Sequence, residues 1–199
     1  MAKDTRQRII DAAMELFWLK GYSSTSVADI LSRSQVNSGS LYYFFPGKQD
    51  VLIAVLEAYR DGIGPALLDP AWEGVDDPVE RVFALLGSYR RALVETDCTY
   101  GCPIGSLALE LHEPDPPVRE LMAANFSAWV EAVEIQLRSA RERFPGDTDF
   151  HALAELALSV MEGGVMQART FRDIACFDRP IAQLRAHFDA LMQGEKSHA

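Results

Sequence analysis

The segment TSVADILSRSQVNSGSLYYFFPGK, residues 25–48, decides the fold of the first part of the chain. It contains two short stretches of helical spacing separated by a three-residue turn. Ser26 and Asp29 form a capping box for the first stretch. Asn37 is placed as the N-cap of the second stretch, and Pro46 ends it. With one more helix before them, these two helices have the dimensions of a helix-turn-helix.

The second of these helices, predicted over residues 37–45, carries side chains that suit contact with a DNA groove. Small residues in its first turn let the backbone approach base edges and phosphates. Tyrosine hydroxyls follow that can reach phosphate, and a lysine lies just past the helix end. The predicted DNA contacts are Ser38, Gly39, Ser40, Tyr42, Tyr43 and Lys48. Leu41 and Phe44, spaced three apart, are predicted to fill the core behind them.

The rest of the chain also has helical periodicity, and runs of alternating β-branched residues are missing. Helices are predicted over residues 4–20, 26–33, 37–45, 47–62, 78–95, 103–111, 116–143, 149–172 and 179–192, with prolines at several helix starts. Residues 64–77 are predicted to be a loop. The expected fold is all-α, with a three-helix head, residues 1–48, joined by the connecting helix over 47–62 to a larger helical-bundle body, residues 64–199.

The stretch from Arg6 to Tyr59 resembles the TetR family of bacterial transcriptional regulators. The sequences AAMELF, GYSSTSVADI and SGSLYYFF, and the lysine shortly before DVL, stand at the positions and spacings of that family. The resemblance implies a dimeric regulator whose heads enter successive major grooves of a palindromic operator, and a body that binds a small effector. By position it implies DNA contacts at Thr25, Ser38, Gly39, Tyr42, Tyr43 and Lys48, with Thr25, Tyr42 and Lys48 on phosphate.

The turn departs from the family pattern at one position. Gln35 stands where the family commonly has glycine. If this residue adopts a positive φ, glutamine costs roughly 1 kcal/mol relative to glycine. We therefore expect a somewhat strained turn within an otherwise intact motif.

The charge of the chain is unevenly distributed. Residues 1–48 hold six Lys and Arg against four Asp and Glu, a net charge of +2, whereas the other 151 residues hold 13 against 25, a net charge of −12. A mildly basic head on an acidic body is typical of a modular DNA-binding protein, because only the head must approach phosphate.

Composition and motifs exclude several other classes. The N-terminus lacks the apolar region of a secretory signal, and the longest stretch without charge is too short and too polar to span a bilayer. The three cysteines do not make a disulfide framework, so a cytoplasmic location is expected. HExxH, GxSxG, Walker and GxGxxG motifs and zinc-type Cys/His spacings are missing, so we predict no enzyme activity, cofactor or metal.

Residues 97–117, DCTYGCPIGSLALELHEPDPP, are the least ordinary part of the body. A similar Gly-Cys element occurs in a subgroup of the family, where it looks like part of the ligand pocket and, in some members, an electrophile-sensing site. Cys102 stands at a predicted helix N-terminus, which lowers a thiol pKa, and Cys98 lies close enough to resolve a sulfenic acid. The alternative is that Cys98, Cys102 and Cys176 only fill apolar space.

Aromatic and soft apolar residues on the body helices could line the effector cavity or simply form the core. The candidates are Phe83, Leu86, Tyr89, Tyr100, Cys102, Phe126, Trp129, Met161 and Met166. Glu110, His112 and Glu162 stand on otherwise apolar segments. A satisfied hydrogen bond or a helix-end position is expected for each, and the alternative is that one of them selects a cationic or hydrogen-bonding ligand. We predict a mainly apolar or aromatic effector.

The last two long helices carry apolar stripes with small residues that allow close helix approach. The resemblance places the homodimer interface here, at Leu153, Leu156, Val160, Gly164, Leu184, Phe188 and Leu191, although the same stripes could face their own core. Two further readings stay open for the whole chain: a thiol-based redox or electrophile sensor that uses Cys102, and a helical interaction module that does not bind DNA.

Overall fold

A computed structural model describes residues 2–194 and shows helices connected by turns, with no strand in that range. The helices are α1 Ala2–Lys20, α2 Val27–Ser34, α3 Ser38–Phe44, α4 Lys48–Ile63, α5 Asp69–Trp72, α6 Pro78–Glu95, α7 Pro103–Glu110, α8 Pro116–Ser139, α9 Phe150–Phe171 and α10 Ala175–Gly194. The predicted all-α class is therefore confirmed.

The chain divides into two compact units that are not consecutive in sequence. The head unit contains the residues up to Gly62 and, in addition, Pro103–Phe126. The body unit contains Ile63–Cys102 and the residues from Ser127 onward. Helix α7 and the first part of α8 thus pack with the helix-turn-helix, although they follow it by more than forty residues.

Local signals in the head act as the sequence predicts. The side chain of Ser26 accepts from the Asp29 amide while Asp29 binds the Ser26 amide, so the capping box is complete. Asn37 caps α3 by accepting from the Ser40 amide. Gly21 has φ +85° after α1, and Gln35 has φ 54° and ψ 42° at the end of α2. The turn therefore does place a glutamine in the left-handed region.

The residue that fills the head core together with Leu41 differs from the prediction, which names Phe44. Leu41 is fully buried, but the second buried side chain is Phe45, at 3% exposure, and Phe44 is only half-buried. Helix α3 ends at Phe44, and Phe45 takes an extended conformation with φ −137° and ψ 111°. This change of backbone direction turns Phe45 into the head core in place of Phe44.

The predicted loop over residues 64–77 is wrong in its first half. Gly64–Leu68 form a π-helical turn that leads directly into α5. Pro65 stands at the start of this turn, where its missing N–H leaves no donor unpaired. Leu68 and Ala71 are buried, and this burial stabilises the helical path.

Two body helices also differ from their predicted bounds. Helix α10 begins at Ala175, so Pro180 lies inside the helix and not at its start. Only the first turns of a helix tolerate proline cheaply, and here Pro180 removes one backbone hydrogen bond just beyond them. The long helix predicted over 116–143 ends at Ser139, and a short 3₁₀ turn over Arg141–Arg143 follows it.

Four of the predicted dimer residues lie in the body unit's own core, which corrects their assignment to a dimer interface. Leu153, Gly164, Leu184 and Phe188 are buried, and α9 packs extensively on α10. A Cβ at Gly164 would lie 3.0 Å from the Phe177 ring, so this glycine is needed for packing within the chain. Leu156 is exposed, whereas Val160 and Leu191 are half-buried.

Candidate nucleic-acid interface

One face of α3 is open to solvent and the opposite face is closed by the core. On the solvent side, the Tyr43 side chain is 81% exposed and the Tyr42 side chain is 54% exposed. On the core side, Leu41 is fully buried. Ser38 and Gly39 are exposed at the start of the helix. The Tyr43 ring stacks edge-on against Phe44 with ring centroids 4.9 Å apart, which limits its freedom. The helix thus presents two phenols and a flat, small-residue first turn.

Gly39 has no structural reason to be glycine. Its φ is not positive, and an added Cβ would meet only the Asn37 Oδ1 atom at 3.5 Å, an ordinary contact. Glycine inside a helix costs up to about 1 kcal/mol relative to alanine. Gly39 therefore leaves the backbone of α3 accessible, although alanine would make the helix more stable. Such a residue is expected where another molecule must approach the backbone.

Lys48 joins the start of α4 to the loop between α1 and α2. Its Nζ donates to the carbonyl oxygens of Tyr22 at 2.9 Å and Thr25 at 3.0 Å, and it lies 4.1 Å above the Tyr22 ring. An ammonium carries three protons, so one donor remains for a phosphate. Lys48 thus holds the motif together in addition to its predicted role as a DNA contact.

Thr25 differs from the prediction that its side chain contacts phosphate. The residue is 1% exposed, and its hydroxyl donates to the Gly21 carbonyl at 2.7 Å. Its backbone amide is also occupied, since it donates to the Tyr22 carbonyl at 3.1 Å. In this structure Thr25 closes the loop that Lys48 binds.

Glu110, at the end of α7, makes the satisfied hydrogen bonds that the sequence predicts for it, but the sequence did not reveal its partners. Its carboxylate accepts from the backbone amides of Tyr22 at 2.9 Å and Ser23 at 2.6 Å. Burial favours the neutral acid, but the hydrogen bonds from Ser23 and Tyr22 and the charge of Lys48 outweigh it and lower the pKa of Glu110. We name this contact the Glu110 latch. It has no signal in the sequence because its partners lie 87 and 88 positions away.

Several basic groups of the head are already engaged within it. Arg33 binds the Glu15 carboxylate with two nitrogens. Arg8 donates to the carbonyls of Ser34 and Gln35 at 2.6 and 3.1 Å, which satisfies the end of α2. The modest positive charge of the head is therefore used largely to fix the geometry of the helix-turn-helix.

The predicted effector residues separate into three groups in the structure. Leu86 and Met161 are fully buried core residues, and Phe83 packs edge-on against Phe188. Met166 is 47% exposed, Tyr100 is half-buried, and Phe126 belongs to the head unit. The remaining residues, Tyr89, Cys102 and Trp129, belong to one polar cluster of the body, in which Tyr89 interacts with Trp129, Cys102 and Glu162.

The structure does not support a redox-sensing site. All three cysteines are buried, and none forms a disulfide in the described part of the chain. Burial raises the pKa of the Cys98 thiol despite the nearby charge of Arg172, so this thiol is less reactive than a free one. Among the described residues, no group of His, Cys, Asp or Glu side chains could hold a metal ion.

Family models match both parts of this architecture. The model for bacterial regulatory proteins of the tetR family matches residues 9–55. The model described as "Transcriptional regulator LmrA/YxaF-like, C-terminal domain" matches residues 78–183, more than half of the chain. The chain is thus a helix-turn-helix regulator with a helical regulatory body.

Individual proteins agree with this class. An HTH-type transcriptional regulator of Mycobacterium tuberculosis is 32% identical over 185 residues, 90% of this chain and 92% of the relative. The HTH-type transcriptional repressor DhaR of a Mycobacterium species is 24% identical over 189 residues, 94% of this chain and 92% of the relative. The regulatory protein TetR from Rhodobacter sphaeroides superposes with a TM-score of 0.81 at 27% identity, over 91% of this chain and 97% of that one.

The chain therefore belongs to the TetR family and is a DNA-binding transcriptional regulator. Its relatives are transcriptional regulators, a class distinct from enzymes. No helix in the described range combines the length and the apolar character that crossing a membrane requires.

Proposed function

We propose that this regulator is a homodimeric cytoplasmic repressor that binds a palindromic operator and leaves it when a small effector binds the body unit. The observation that carries the proposal is the exposed face of α3, where packing does not require Gly39 to be glycine and the rings of Tyr42 and Tyr43 are open to solvent. Repression is favoured by the relative named as a repressor.

The DNA contacts that we propose are Ser38, Gly39, Ser40, Tyr42, Tyr43 and Lys48. The first turn of α3 would lie against base edges, and the phenols and the remaining Lys48 donor would bind phosphate. Thr25 and the Glu110 latch would position the loop beside them without touching DNA. In a dimer, two such helices would read half-sites separated by one or more turns of the duplex.

We propose that the homodimer forms through a partly exposed surface of the body unit. Leu156, Val160 and Gly163 follow one face of α9, and an added Cβ at Gly163 would meet open space. Exposed Ala182, Ala186 and Ala190 follow one face of α10 at four-residue spacing. Small and apolar residues on two neighbouring helices permit close packing against the same pair of a second copy, which gives a two-fold interface.

The test is the enrichment of a random duplex library by purified protein, with Gly39→Ala as the diagnostic variant and Gly87→Ala as the matched control. Both glycines are helical, and an added Cβ meets little or nothing at either position. We expect both variants to melt at or above the wild-type temperature because alanine favours helix. Wild type and Gly87→Ala should enrich one palindrome.

Gly39→Ala should bind that palindrome at least tenfold more weakly, the loss expected from one poor base contact. If Gly39→Ala binds it as well as wild type does, α3 does not read DNA through close backbone approach. If no sequence is enriched by refolded, ligand-free wild type, the proposed repressor function is wrong.

A further inference from the structure

Two buried polar atoms of the body unit have no hydrogen-bond partner in the described structure. They are the Trp129 Nε1 atom on α8 and the Glu162 Oε1 atom on α9. Trp129 is 3% exposed, so its N–H has no route to bulk water. Buried polar groups in folded proteins are nearly always paired, and two exceptions in one unit call for a cause.

The two atoms belong to one cluster because Tyr89, on α6, interacts with both side chains. Burial and then the charges of Cys102 and Glu162 raise the pKa of the Tyr89 hydroxyl well above its ordinary value. The Tyr89 hydroxyl also interacts with the Trp129 side chain, but the Trp129 Nε1 atom has no partner that meets the distance and angle of a hydrogen bond. The Cys102 thiol hydrogen-bonds to the Glu162 carboxyl group, but the Oε1 atom of this group has no hydrogen-bond partner.

The chemistry of the cluster favours a particular complement. Glu162 has no ion pair with Lys, Arg or His among the described residues, although buried carboxylates normally have one. Burial raises the pKa of Glu162, which reflects this missing counter-charge. A bound cation would supply it, and the rings of Tyr89 and Trp129 add aromatic surface that attracts cations. The Trp129 N–H requires an acceptor.

We propose that Glu162 and Trp129 are the polar recognition groups of the effector site, and that the effector is a small organic amine that also carries an oxygen acceptor. Its ammonium donates to the Glu162 carboxylate, and its oxygen accepts from the Trp129 N–H. This inference rests on the proposed function, since it assigns a chemical class to the effector, and it replaces a merely apolar or aromatic ligand with a cationic one.

The test uses the full-length protein, isothermal calorimetry and three related probes. 2-Amino-1-phenylethanol has both polar groups, 2-phenylethylamine has only the ammonium, and 1-phenylethanol has only the hydroxyl. We expect wild type to bind the amino alcohol at least tenfold more tightly than either of the other two. Equal affinity for 1-phenylethanol and the two amines would overturn the proposal, as would the absence of amine binding at about 1 mM.

Two conservative variants assign the contacts. Glu162→Gln should lose at least tenfold in affinity for both amines and little for 1-phenylethanol, because a neutral amide cannot pair with an ammonium. Trp129→Phe keeps the ring and removes the N–H, so it should lose about fivefold for the two hydroxyl-bearing probes and little for 2-phenylethylamine. Glu155→Gln, on the exposed face of the same helix as Glu162, is the matched control and should bind all three probes as wild type does.

The outcomes separate this inference from the proposed function. If the library is enriched but the predicted probe selectivity is missing, the DNA-binding function is supported and the amine is rejected as the effector. If the probes show the predicted selectivity but no library sequence is enriched, the amine site is supported and the repressor function is rejected. If Glu162→Gln fails to fold, the comparison of the three probes on wild type still decides the proposal.

Discussion

Helix α3 in the head and the Glu162 cluster in the body both carry polar groups that their own unit does not satisfy, but they do so in opposite environments. On α3 the phenols of Tyr42 and Tyr43 are exposed, and water satisfies them when no partner is bound. In the body, Glu162 Oε1 and Trp129 Nε1 are enclosed and have no such substitute. A large, charged partner can reach the exposed phenols directly, whereas the two body atoms are closed to bulk water.

The two units also differ in how they are stabilised. The head depends on short, local devices such as the Ser26–Asp29 capping box, supplemented by the Glu110 latch. The body depends on long helices around an aromatic core that includes Phe83, Phe144 and Phe188. Core substitutions should therefore act most strongly in the body, and cap or latch substitutions should act on the head.

Phe188→Ala tests the body core and should have the largest effect. Phe188 is fully buried, with ring centroids 5.5 Å from Phe83 and 6.2 Å from Phe144. Removing its ring should lower the free energy of unfolding by about 3–5 kcal/mol. Chemical denaturation measures this loss, and Ile135→Ala, at an exposed body position, should change it by less than about 0.5 kcal/mol. A variant that dissociates into stable, folded protomers would instead place Phe188 at a dimer interface.

Glu110→Ala tests the latch and should have an intermediate effect confined to the head. It would leave the amides of Tyr22 and Ser23 without their acceptor, at a cost of about 1–3 kcal/mol. Hydrogen exchange should then accelerate at these two amides while the body amides remain protected. Glu113→Ala, which changes an exposed glutamate nearby, is the control. Unchanged exchange at Tyr22 and Ser23 would show that the latch does not hold the loop.

Sequence reasoning succeeded where the deciding contacts are local. The capping box, the Asn37 cap and the positive φ of Gln35 each depend on residues within a few positions. It failed where distant residues decide. Glu110 reaches a loop 87 positions away, so its partners have no short-range pattern, and Lys48 reaches the Thr25 carbonyl from 23 positions away. The exposed face of α3 was predictable in outline, whereas the Glu162 cluster depends on four separate segments meeting.

Two substitutions by glycine compare the head and the body at residues with left-handed backbone conformation, each of which ends a helix. Gln35, with φ 54°, ends α2 in the head, and Arg172, with φ 52°, ends α9 in the body. Gln35→Gly should stabilise the protein by roughly 1 kcal/mol because it relieves the left-handed strain. Arg172→Gly should gain less or lose stability, since the Arg172 side chain donates to the Cys98 carbonyl and the Thr99 hydroxyl. Thermal unfolding measures both, and a larger gain for Arg172→Gly would contradict this account.

The smallest effects should appear as opposite responses to pH in the two units. In the head, hydrogen bonds from the Ser26 hydroxyl and amide, and then from Lys20, lower the pKa of Asp29 to about 2. Because the folded pKa lies below the ordinary value of 3.8, the capping box contributes fully above about pH 4 and is lost as the pH falls toward 2. In the body, the hydrogen bond to Glu134 raises the pKa of His151 above 6.5, so that pair contributes below about pH 6.5 and is lost as the pH rises through the folded pKa.

Carbon-detected NMR titration of the Asp29 carboxyl and the His151 ring measures both midpoints directly. Asp29→Asn should remove the acid-dependent part of the head's amide protection, and His151→Gln should leave it unchanged. Both side chains are partly exposed to solvent, so salt should reduce both shifts. The shift of Asp29 should persist better than that of His151, because it arises from neutral donors of the cap and only in part from an ion pair. Equal loss of the two shifts in high salt would mean that charge, and not the cap geometry, orders the start of α2.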